Sequence, residues 1–134
     1  MASDKVEFEL VSPERLLLSE QVDMVVVPGA EGDFGVLPRH APLISTLRPG
    51  VIRVFEGREV KERIFVAGGF AEVTPERCTV LAEEAVPVGE IDAGKLEQEL
   101  KNLGEDLADA KTDEERAAIA KRIAVRKAMQ AASA

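Results

Sequence analysis

The hydrophobic period changes once along this chain, and that change limits what it can fold into. Near the start, apolar and charged residues alternate, as at Val6, Phe8 and Leu10. This is the period of a strand with one buried face. In the last third, apolar residues recur at steps of three and four, which is the period of a helix. The sequence therefore predicts a β-rich body over residues 1–88 and a helical part over residues 89–134.

The body contains several further short apolar runs. They lie at 22–27, 51–55, 60–67 and 78–82, and Pro-Gly, Glu-Gly and Pro-Glu pairs separate them. Such pairs are typical of turns. Because no helical stretch lies between the runs, the pattern predicts an antiparallel sandwich or barrel and excludes a parallel α/β sheet.

The tail contains an amphipathic helix. Leu96, Leu100, Leu103 and Leu107 form one apolar stripe over roughly five turns. Asp92 is suited to the N-cap position of this helix. Glycines inside such a helix cost about 1 kcal/mol each relative to alanine, so we expect the helix to be marginal alone.

A second helix is predicted to begin near Asp113. Thr112 and Glu115 have the spacing of a capping box, in which each side chain satisfies a backbone N–H at the start of a helix. The apolar side of this helix consists of Ile119, Ile123 and several alanines. The short connection between the helices predicts an antiparallel hairpin.

The two predicted helices differ in charge. Residues 92–111 contain six acids and three bases, whereas residues 116–127 contain five bases and no acid. The helices can therefore pair electrostatically as two solvated faces. A second interpretation is that the basic helix can exchange the first helix for an acidic surface on another subunit.

Composition excludes several classes of function. The net charge of -8 and the lack of Trp and Tyr argue against nucleic-acid binding. No apolar run is long enough for a membrane span or a secretory signal. His40 is the only histidine, so neither a metal cluster nor a histidine dyad is expected within one chain. Cys78, the only cysteine, is interpreted as a buried apolar side chain in a reducing compartment, and only a reactive thiol there would support an enzyme.

The run from Gly89 to Lys95 has the glycine and lysine spacing of a phosphate-binding P-loop. Leu96 stands where a magnesium-binding hydroxyl is needed, and Glu90 and Asp92 place negative charge where phosphates would lie. No βαβ unit surrounds the run. We therefore reject this motif, and we predict no catalytic residue and no metal site.

Four segments carry a resemblance to a known family. They are Gly-Asp-Phe-Gly-Val-Leu-Pro-Arg-His-Ala-Pro-Leu at 32–43, Pro-Gly at 49–50, Gly-Gly-Phe-Ala-Glu-Val at 68–73 and Val-Leu-Ala at 80–82. In this order they resemble the epsilon subunit of F-type ATP synthases. The resemblance implies a mainly β fold, with an N-terminal antiparallel β-sandwich of about ten short strands and a C-terminal two-helix hairpin.

The resemblance also implies a role and partners. The chain would be a non-catalytic rotor subunit that binds the gamma subunit and the c-ring and couples proton translocation to ATP synthesis. It would lie peripherally on the cytoplasmic face of a bacterial inner membrane, held there by partner subunits. The implied c-ring contacts are Asp33, Phe34, Gly35, Arg39 and His40.

The hairpin is implied to be regulatory. When extended, it would restrain ATP hydrolysis by meeting the catalytic alpha and beta subunits through basic side chains. These are Arg116, Lys121, Arg122, Arg126 and Lys127.

Some family members bind ATP on the folded hairpin. The matching positions here are Asp92, Lys95, Arg122 and Arg126. Lys95 replaces an arginine, and so loses a planar fork for bidentate contact. No cofactor is required, and ATP is expected only as a possible regulatory ligand. The alternative function is a small-ligand-binding sandwich with a helical dimerisation tail.

Overall fold

The computed structural model describes residues 4–133. Along this part of the sequence there are eight strands, one short 3-10 turn and two helices. The strands are β1 (Val6–Val11), β2 (Leu16–Val22), β3 (Met24–Gly29), β4 (Gly32–Val36), β5 (Leu43–Thr46), β6 (Gly50–Glu56), β7 (Glu59–Val73) and β8 (Arg77–Pro87). The turn spans Val88–Glu90, and the helices are α1 (Ala93–Asp109) and α2 (Asp113–Ser133). One compact unit ends at Val88 and another begins at Gly89.

The strands form a sandwich in which two long strands are shared by both layers. The hydrogen-bonded order is β2-β1-β8-β7-β6-β3-β4, and β5 pairs with β7 beside this path. β5 pairs with the second part of β7, from Phe70 to Val73, whereas β6 pairs with its first part, up to Val66. β7 and β8 therefore each supply a segment to both layers. The predicted sandwich is confirmed. It has eight strands instead of the expected ten or so, because β7 and β8 are long strands that each contribute to both layers.

β7 changes the face that it turns to the core at a pair of glycines. Ile64 and Val66 face the core before the pair, and Ala71 and Val73 face it afterwards. Gly68 and Gly69 have φ angles of 73° and 96°, a region that favours glycine. A Cβ on Gly69 would lie 1.8 Å from the carbonyl oxygen of Leu81 on β8. Only glycine permits the two strands to cross between the layers this closely.

One strand pairing differs from the predicted pattern. β1 pairs with β8 in parallel, with Phe8 opposite Cys78 and Leu10 opposite Val80. The other pairings between the named strands are antiparallel. Parallel neighbours need a long connection, and here β2 to β7 lie between β1 and β8 in the sequence. The alternation of apolar and polar residues cannot reveal strand direction.

The core of the sandwich is apolar and follows the predicted alternation. Val6, Phe8 and Leu10 of β1 are buried, whereas Glu7 and Glu9 between them are only partly covered. Buried valines and isoleucines of the other strands complete the cluster. Among residues 4–133 no polar or charged residue is fully buried.

Cys78 lies in this core, as predicted from its place in an apolar run. Its side chain is fully buried, and burial raises the pKa of its thiol to about 12. The thiolate needed for nucleophilic chemistry is therefore disfavoured at neutral pH. The reactive, exposed thiol that would have supported an enzyme is therefore not found at Cys78.

The helical unit begins with the expected cap. The Asp92 carboxylate accepts a hydrogen bond from the backbone N–H of Lys95 at 3.1 Å, which satisfies a donor at the start of α1. Gly94 and Gly104 both lie inside α1. Among residues 4–133 neither helix is both long and apolar enough to cross a bilayer.

The start of α2 confirms half of the predicted capping box. The Thr112 hydroxyl accepts from the Glu115 N–H at 3.0 Å. The Glu115 carboxylate, however, accepts from the N–H of Lys111 at 3.2 Å instead of that of Thr112. The Glu115 side chain thus binds a backbone N–H one residue earlier in the connection than the capping box predicts.

Two acids meet at a seam between β2 and the β6–β7 hairpin. The Lys61 ammonium lies 3.3 Å from Glu20 Oε2 and 4.0 Å from Glu56 Oε2. Buried oxygens of Glu20 and Glu62 have no donor from residues 4–133, because two ionised carboxylates can only accept. Burial, then hydrogen bonding and repulsion from Glu20, raise the pKa of Glu62, while Lys61 opposes the rise. A proton on Glu62 would supply the missing donor.

We predict that Glu62→Gln makes the stability of the fold less sensitive to a rise in pH above the ordinary carboxyl range. Because the pKa of Glu62 is raised in the folded state, its contribution to stability is present at acid pH and is lost as pH rises through that pKa. The neutral amide avoids this loss. The free energy of unfolding of the variant, relative to that of the wild type, should therefore increase from pH 5 to pH 8. Urea unfolding at several pH values measures the difference.

Glu72→Gln is the matched control for this prediction, since Glu72 is an exposed acid on the same strand. It makes the same change in charge away from the seam. A pH profile of Glu62→Gln that runs parallel to the wild-type profile would contradict the shared proton.

Candidate functional site

The predicted c-ring contacts lie on one continuous segment of the sandwich. Asp33, Phe34 and Gly35 belong to β4, and Arg39 and His40 follow in the connection to β5. β4 pairs only with β3 in the described sheet, so its other side is an edge. The first three residues therefore lie on an edge strand, and the other two lie on the connection that follows it.

Phe34, one of the implied c-ring contacts, does not stand at a free loop tip. It lies within β4 opposite Val27, and its half-buried ring packs against the core. A Cβ on Gly29 would lie 2.9 Å from Cε1 of this ring. The side chain therefore rests over the end of β3, which only a glycine at position 29 allows, and just part of it is available to a partner.

Asp33 lies between two arginines. Its Oδ1 accepts a hydrogen bond from Arg48 Nη2, and its Oδ2 lies 3.7 Å from Arg53 Nη2. Arg48 also donates from Nη1 to the carbonyl of Gly29 at 2.6 Å. Sequence motifs indicated Asp33 but neither arginine, because the two lie 15 and 20 residues further along.

Hydrogen bonds order the connection from β4 to β5, and one of them is a local turn from the N–H of His40 to the carbonyl of Leu37 at 3.2 Å. The N–H of Arg39 donates to the carbonyl of Pro75 at 2.8 Å, which fastens the segment to the turn between β7 and β8. Arg39 has a φ of 63°, in the left-handed region that non-glycine residues seldom adopt. His40 Nδ1–H donates to the carbonyl of Ala41 at 2.6 Å, because a carbonyl can only accept. The single histidine of the sequence thus makes a hydrogen bond within the loop.

An open groove beside this segment has an apolar side that the sequence motifs did not indicate. The groove has a volume of about 580 Å³, and its walls are residues 30–34 and 43–46. Ile44 in its wall is 69% exposed and Leu43 is 37% exposed. Leu37 nearby is also exposed. The sequence does not mark Ile44 as exposed, because Leu43 and Ile44 are adjacent apolar residues and only the tertiary structure shows that both face solvent.

A second exposed apolar pair lies across the two shared strands. Phe70 of β7 is opposite Leu81 of β8, and both are more than one-third exposed. Thr46 of β5 lies opposite Phe70 on the other side. This pair, close to the glycines of the layer crossing, extends the apolar surface outside the predicted segment.

The basic residues of α2 fall into two groups. Arg116 is used locally, because it donates to the carbonyl of Ala110 at 3.2 Å and lies 2.5 Å from Asp113. Arg126 lies 3.0 Å from Glu99 of α1 and is mostly covered. The remaining three, Lys121, Arg122 and Lys127, are exposed and form no ion pair within residues 4–133.

The pairing of the helices confirms the predicted antiparallel hairpin and its electrostatic attraction. Arg126, near the end of α2, meets Glu99, near the start of α1. The apolar contact is incomplete, since Leu96 and Met129 are buried whereas Leu100, Leu103, Leu107, Ile119 and Ile123 are only half-buried. The helical unit is thus held by a partly covered stripe.

Two of the four side chains matched to an ATP site already interact with other residues of the hairpin. Asp92 caps α1, and Arg126 is paired with Glu99. Lys95 lies one turn before Glu99, so the hairpin brings Lys95 and Arg126 to the same region. Arg122 is exposed one turn earlier on α2.

Residues 4–133 contain no cluster of three or more side chains suited to a metal ion. Asp33, Arg39 and His40 each make a hydrogen bond or an ion pair with other residues of the sandwich. Their arrangement is that of a rigid surface with charged and apolar parts, which suits a protein contact.

Comparison with known proteins assigns both parts of the sequence. Residues 5–88 match the family model described as the ATP synthase, Delta/Epsilon chain, beta-sandwich domain. Residues 92–133 match the model of the C-terminal domain of the ATP synthase epsilon chain. The boundary between the two models falls where the hydrophobic period changes.

Several bacterial relatives match over nearly their whole length. The ATP synthase epsilon chain of Paramagnetospirillum magneticum is 57% identical over 132 residues, which is 98% of this chain and 99% of that protein. The epsilon chain of Rhodospirillum rubrum is 53% identical over 130 residues, 97% of each protein. That of Maricaulis maris is 53% identical over 133 residues, 98% of each.

Solved structures agree with this assignment. One subunit of the Euglena gracilis mitochondrial ATP synthase, from a structure of OSCP, F1 and the c-ring, superposes with a TM-score of 0.82 at 25% identity, over 97% of this protein and 82% of that subunit. A subunit of the Tetrahymena thermophila mitochondrial ATP synthase has the same fold, with a TM-score of 0.73 at 16% identity and full coverage of both. This chain belongs to the ATP synthase epsilon chain family.

Proposed function

We propose that this protein is a non-catalytic central-stalk subunit of an F-type ATP synthase, which couples proton translocation through the c-ring to ATP synthesis. The observation that carries the proposal is the match of both parts of the sequence, in order, to the epsilon family models. The burial of Cys78 also supports a non-catalytic role, because its thiol is shielded from any substrate.

The sandwich edge is the proposed contact with the c-ring. Arg39 and His40 lie on a connection that hydrogen bonds hold in place, and a rigid loop loses little entropy on binding. The neighbouring Leu37, Leu43 and Ile44 add exposed apolar area. The gamma subunit is the second proposed partner of the sandwich. In this arrangement the protein is peripheral on the cytoplasmic face of a bacterial inner membrane, and partner subunits hold it there.

The helical hairpin is the proposed regulatory part. The half-buried stripe and the two glycines inside α1 make the closed hairpin easy to open. On opening, the basic side of α2 becomes available to acidic surfaces of the alpha and beta subunits. Arg126 must leave Glu99 to make such a contact, whereas Lys121, Arg122 and Lys127 are already exposed.

ATP is a proposed ligand of the closed hairpin. Lys95, Arg122 and Arg126 offer positive charge on facing helices, and Arg126 next to Glu99 brings the two helices together in this region. A nucleotide bound there would favour the closed form over the extended form, because a ligand shifts an equilibrium towards the state that it binds better.

The stalk role is tested by adding the full-length protein to membranes of a bacterium whose own epsilon subunit has been deleted. The wild type should bind, co-purify with gamma and the c-ring, and restore ATP-driven proton pumping. Alanine at Arg39 or His40 should weaken binding about fivefold or more, the effect of losing a contact worth over about 1 kcal/mol. Arg58→Ala, on the exposed turn between β6 and β7, is the control. Failure of the wild type to capture either partner would refute the stalk role.

The regulatory role is tested by two variants that open the same ion pair from opposite sides. Glu99→Gln weakens the closed hairpin and keeps the basic helix intact, so it should lower ATP hydrolysis by the assembled complex. Arg126→Ala weakens the closed hairpin but also removes a proposed contact, so it should inhibit less than Glu99→Gln. Because Glu99 is about half exposed to solvent, the ion pair is worth at most about 1 kcal/mol, which limits the shift to about fivefold.

Two further variants control the hairpin experiment. Glu97→Gln makes the same charge change at an exposed position of α1 and should leave hydrolysis unchanged. Removal of residues 91–134 should raise hydrolysis above the wild-type rate while proton pumping continues. Hydrolysis that is equal with and without the tail would show that the hairpin is not a brake in this protein.

Binding of ATP is tested on the isolated full-length protein by equilibrium dialysis and thermal unfolding. A ligand that binds only the folded state raises the unfolding temperature as its concentration exceeds Kd. Arg122→Ala should abolish this rise, and Lys127→Ala, which removes the same charge outside the proposed set, should not. An equal response of both variants to millimolar ATP would indicate nonspecific attraction to basic residues.

A further inference from the structure

Asp33 is the acidic residue that family resemblance places at the c-ring, yet in the structure its carboxylate is not a free charge. Arg48 donates to one of its oxygens, and Arg53 lies 3.7 Å from the other. The three side chains together carry a net charge of +1. A partner that approaches this point therefore meets an arginine-rich surface, and the negative charge of Asp33 is already balanced.

Arg48 connects three parts of the sandwich edge. Its backbone N–H donates to the carbonyl of Pro28 at 3.0 Å, and its Nη1 donates to the carbonyl of Gly29 at 2.6 Å. Both acceptors are on β3, whereas Asp33 is on β4. Arg48 itself lies in the connection between β5 and β6. It thus joins this connection to both strands of the β3–β4 hairpin.

The planar guanidinium is needed for this arrangement. Its two terminal nitrogens donate at the same time, one to a carbonyl and one to a carboxylate, and hydrogen bonds to a charged acceptor are stronger than neutral ones. A lysine ammonium is a single point of charge and lacks this fixed fork. The contribution of Arg48 therefore depends on geometry as well as on charge.

We propose that Arg48 is a positioning residue, which holds Asp33 and the tip of the β3–β4 hairpin in the conformation that the c-ring recognises. Asp33 contributes only as the partner of Arg48 in this pair. Phe34, Arg39 and His40 make the contact with the c-ring. This inference rests on the proposed c-ring contact. It assigns a role to a residue outside the 32–43 segment and changes the role expected for Asp33.

The first arm of the test uses the isolated full-length protein and needs no partner. Amide hydrogen exchange of residues 29–36 should become roughly three- to tenfold faster in Arg48→Gln, as expected for loss of a charge-assisted pair near the surface. Asp33→Asn should give a similar increase, and the double variant should exceed neither by more than the error. Arg58→Gln makes the same charge change on another turn and is the control. Unchanged exchange in Arg48→Gln would overturn the positioning role.

The second arm measures binding of the same variants to detergent-solubilised c-ring with gamma. If Asp33 acts through Arg48, the loss in the double variant should equal that of the more damaging single variant. Losses that multiply would mean that Asp33 contacts the partner directly, and would overturn the proposal. Arg48→Lys keeps the charge and should bind closer to Arg48→Gln than to wild type. Wild-type binding by Arg48→Lys would overturn the role of the fork.

The two arms separate this inference from the function on which it rests. Faster exchange with unchanged c-ring binding in every variant would refute the c-ring contact at this edge. Slower or unchanged exchange with lowered binding would instead refute positioning and make Arg48 a direct contact. Thermal unfolding of each variant verifies that the rest of the sandwich stays folded.

Discussion

The close approach of Gly69 to the carbonyl of Leu81 is the constraint on which the sandwich depends. A Cβ at this position would lie 1.8 Å from that oxygen, far inside any van der Waals contact. The missing side chain, together with positive φ angles at Gly68 and Gly69, lets β7 change the face that it turns to the core. β8 pairs with β7 on both sides of this crossing. These two continuous strands therefore connect the two layers of the sandwich.

This crossing also determines where the candidate contact surface lies. β6 pairs with the first part of β7, and β5 pairs with the second part, so the backbone between β4 and β6 runs along the edge of the sandwich. Hydrogen bonds from Arg39 to Pro75 and from Arg48 to Pro28 then fasten this edge to the layers. A surface carried by such a scaffold can keep its shape under load, which suits a part that transmits torque.

The helical unit follows a different physical logic. Its apolar stripe is only partly covered, and an ion pair between Arg126 and Glu99 joins the two helices. Its first helix contains two glycines, which favour the unfolded state. Elements with few buried contacts open at low free-energy cost. One protein thus combines a body that resists deformation with a tail whose conformation a partner or a ligand can change.

Local sequence patterns were sufficient for much of this architecture. The burial of Val6, Phe8 and Leu10, the Asp92 cap and the start of α2 near Asp113 follow from hydrophobic period and capping chemistry, which act between near neighbours. The family resemblance rested on segments such as 32–43, in which residue identities are specific. The same reasoning missed the parallel pairing of β1 with β8, because alternation has no direction.

The sequence by itself determined the two-part division, the apolar faces and the family. Tertiary structure alone decided that Phe34 packs over Gly29 and that Asp33 is held by Arg48. It also decided that Ile44 and Phe70 are exposed. These facts depend on residues that are distant in the sequence and meet only after the strands pair. Charge and polarity can be read one residue at a time, but whether a charge is free or already balanced depends on what the fold places beside it.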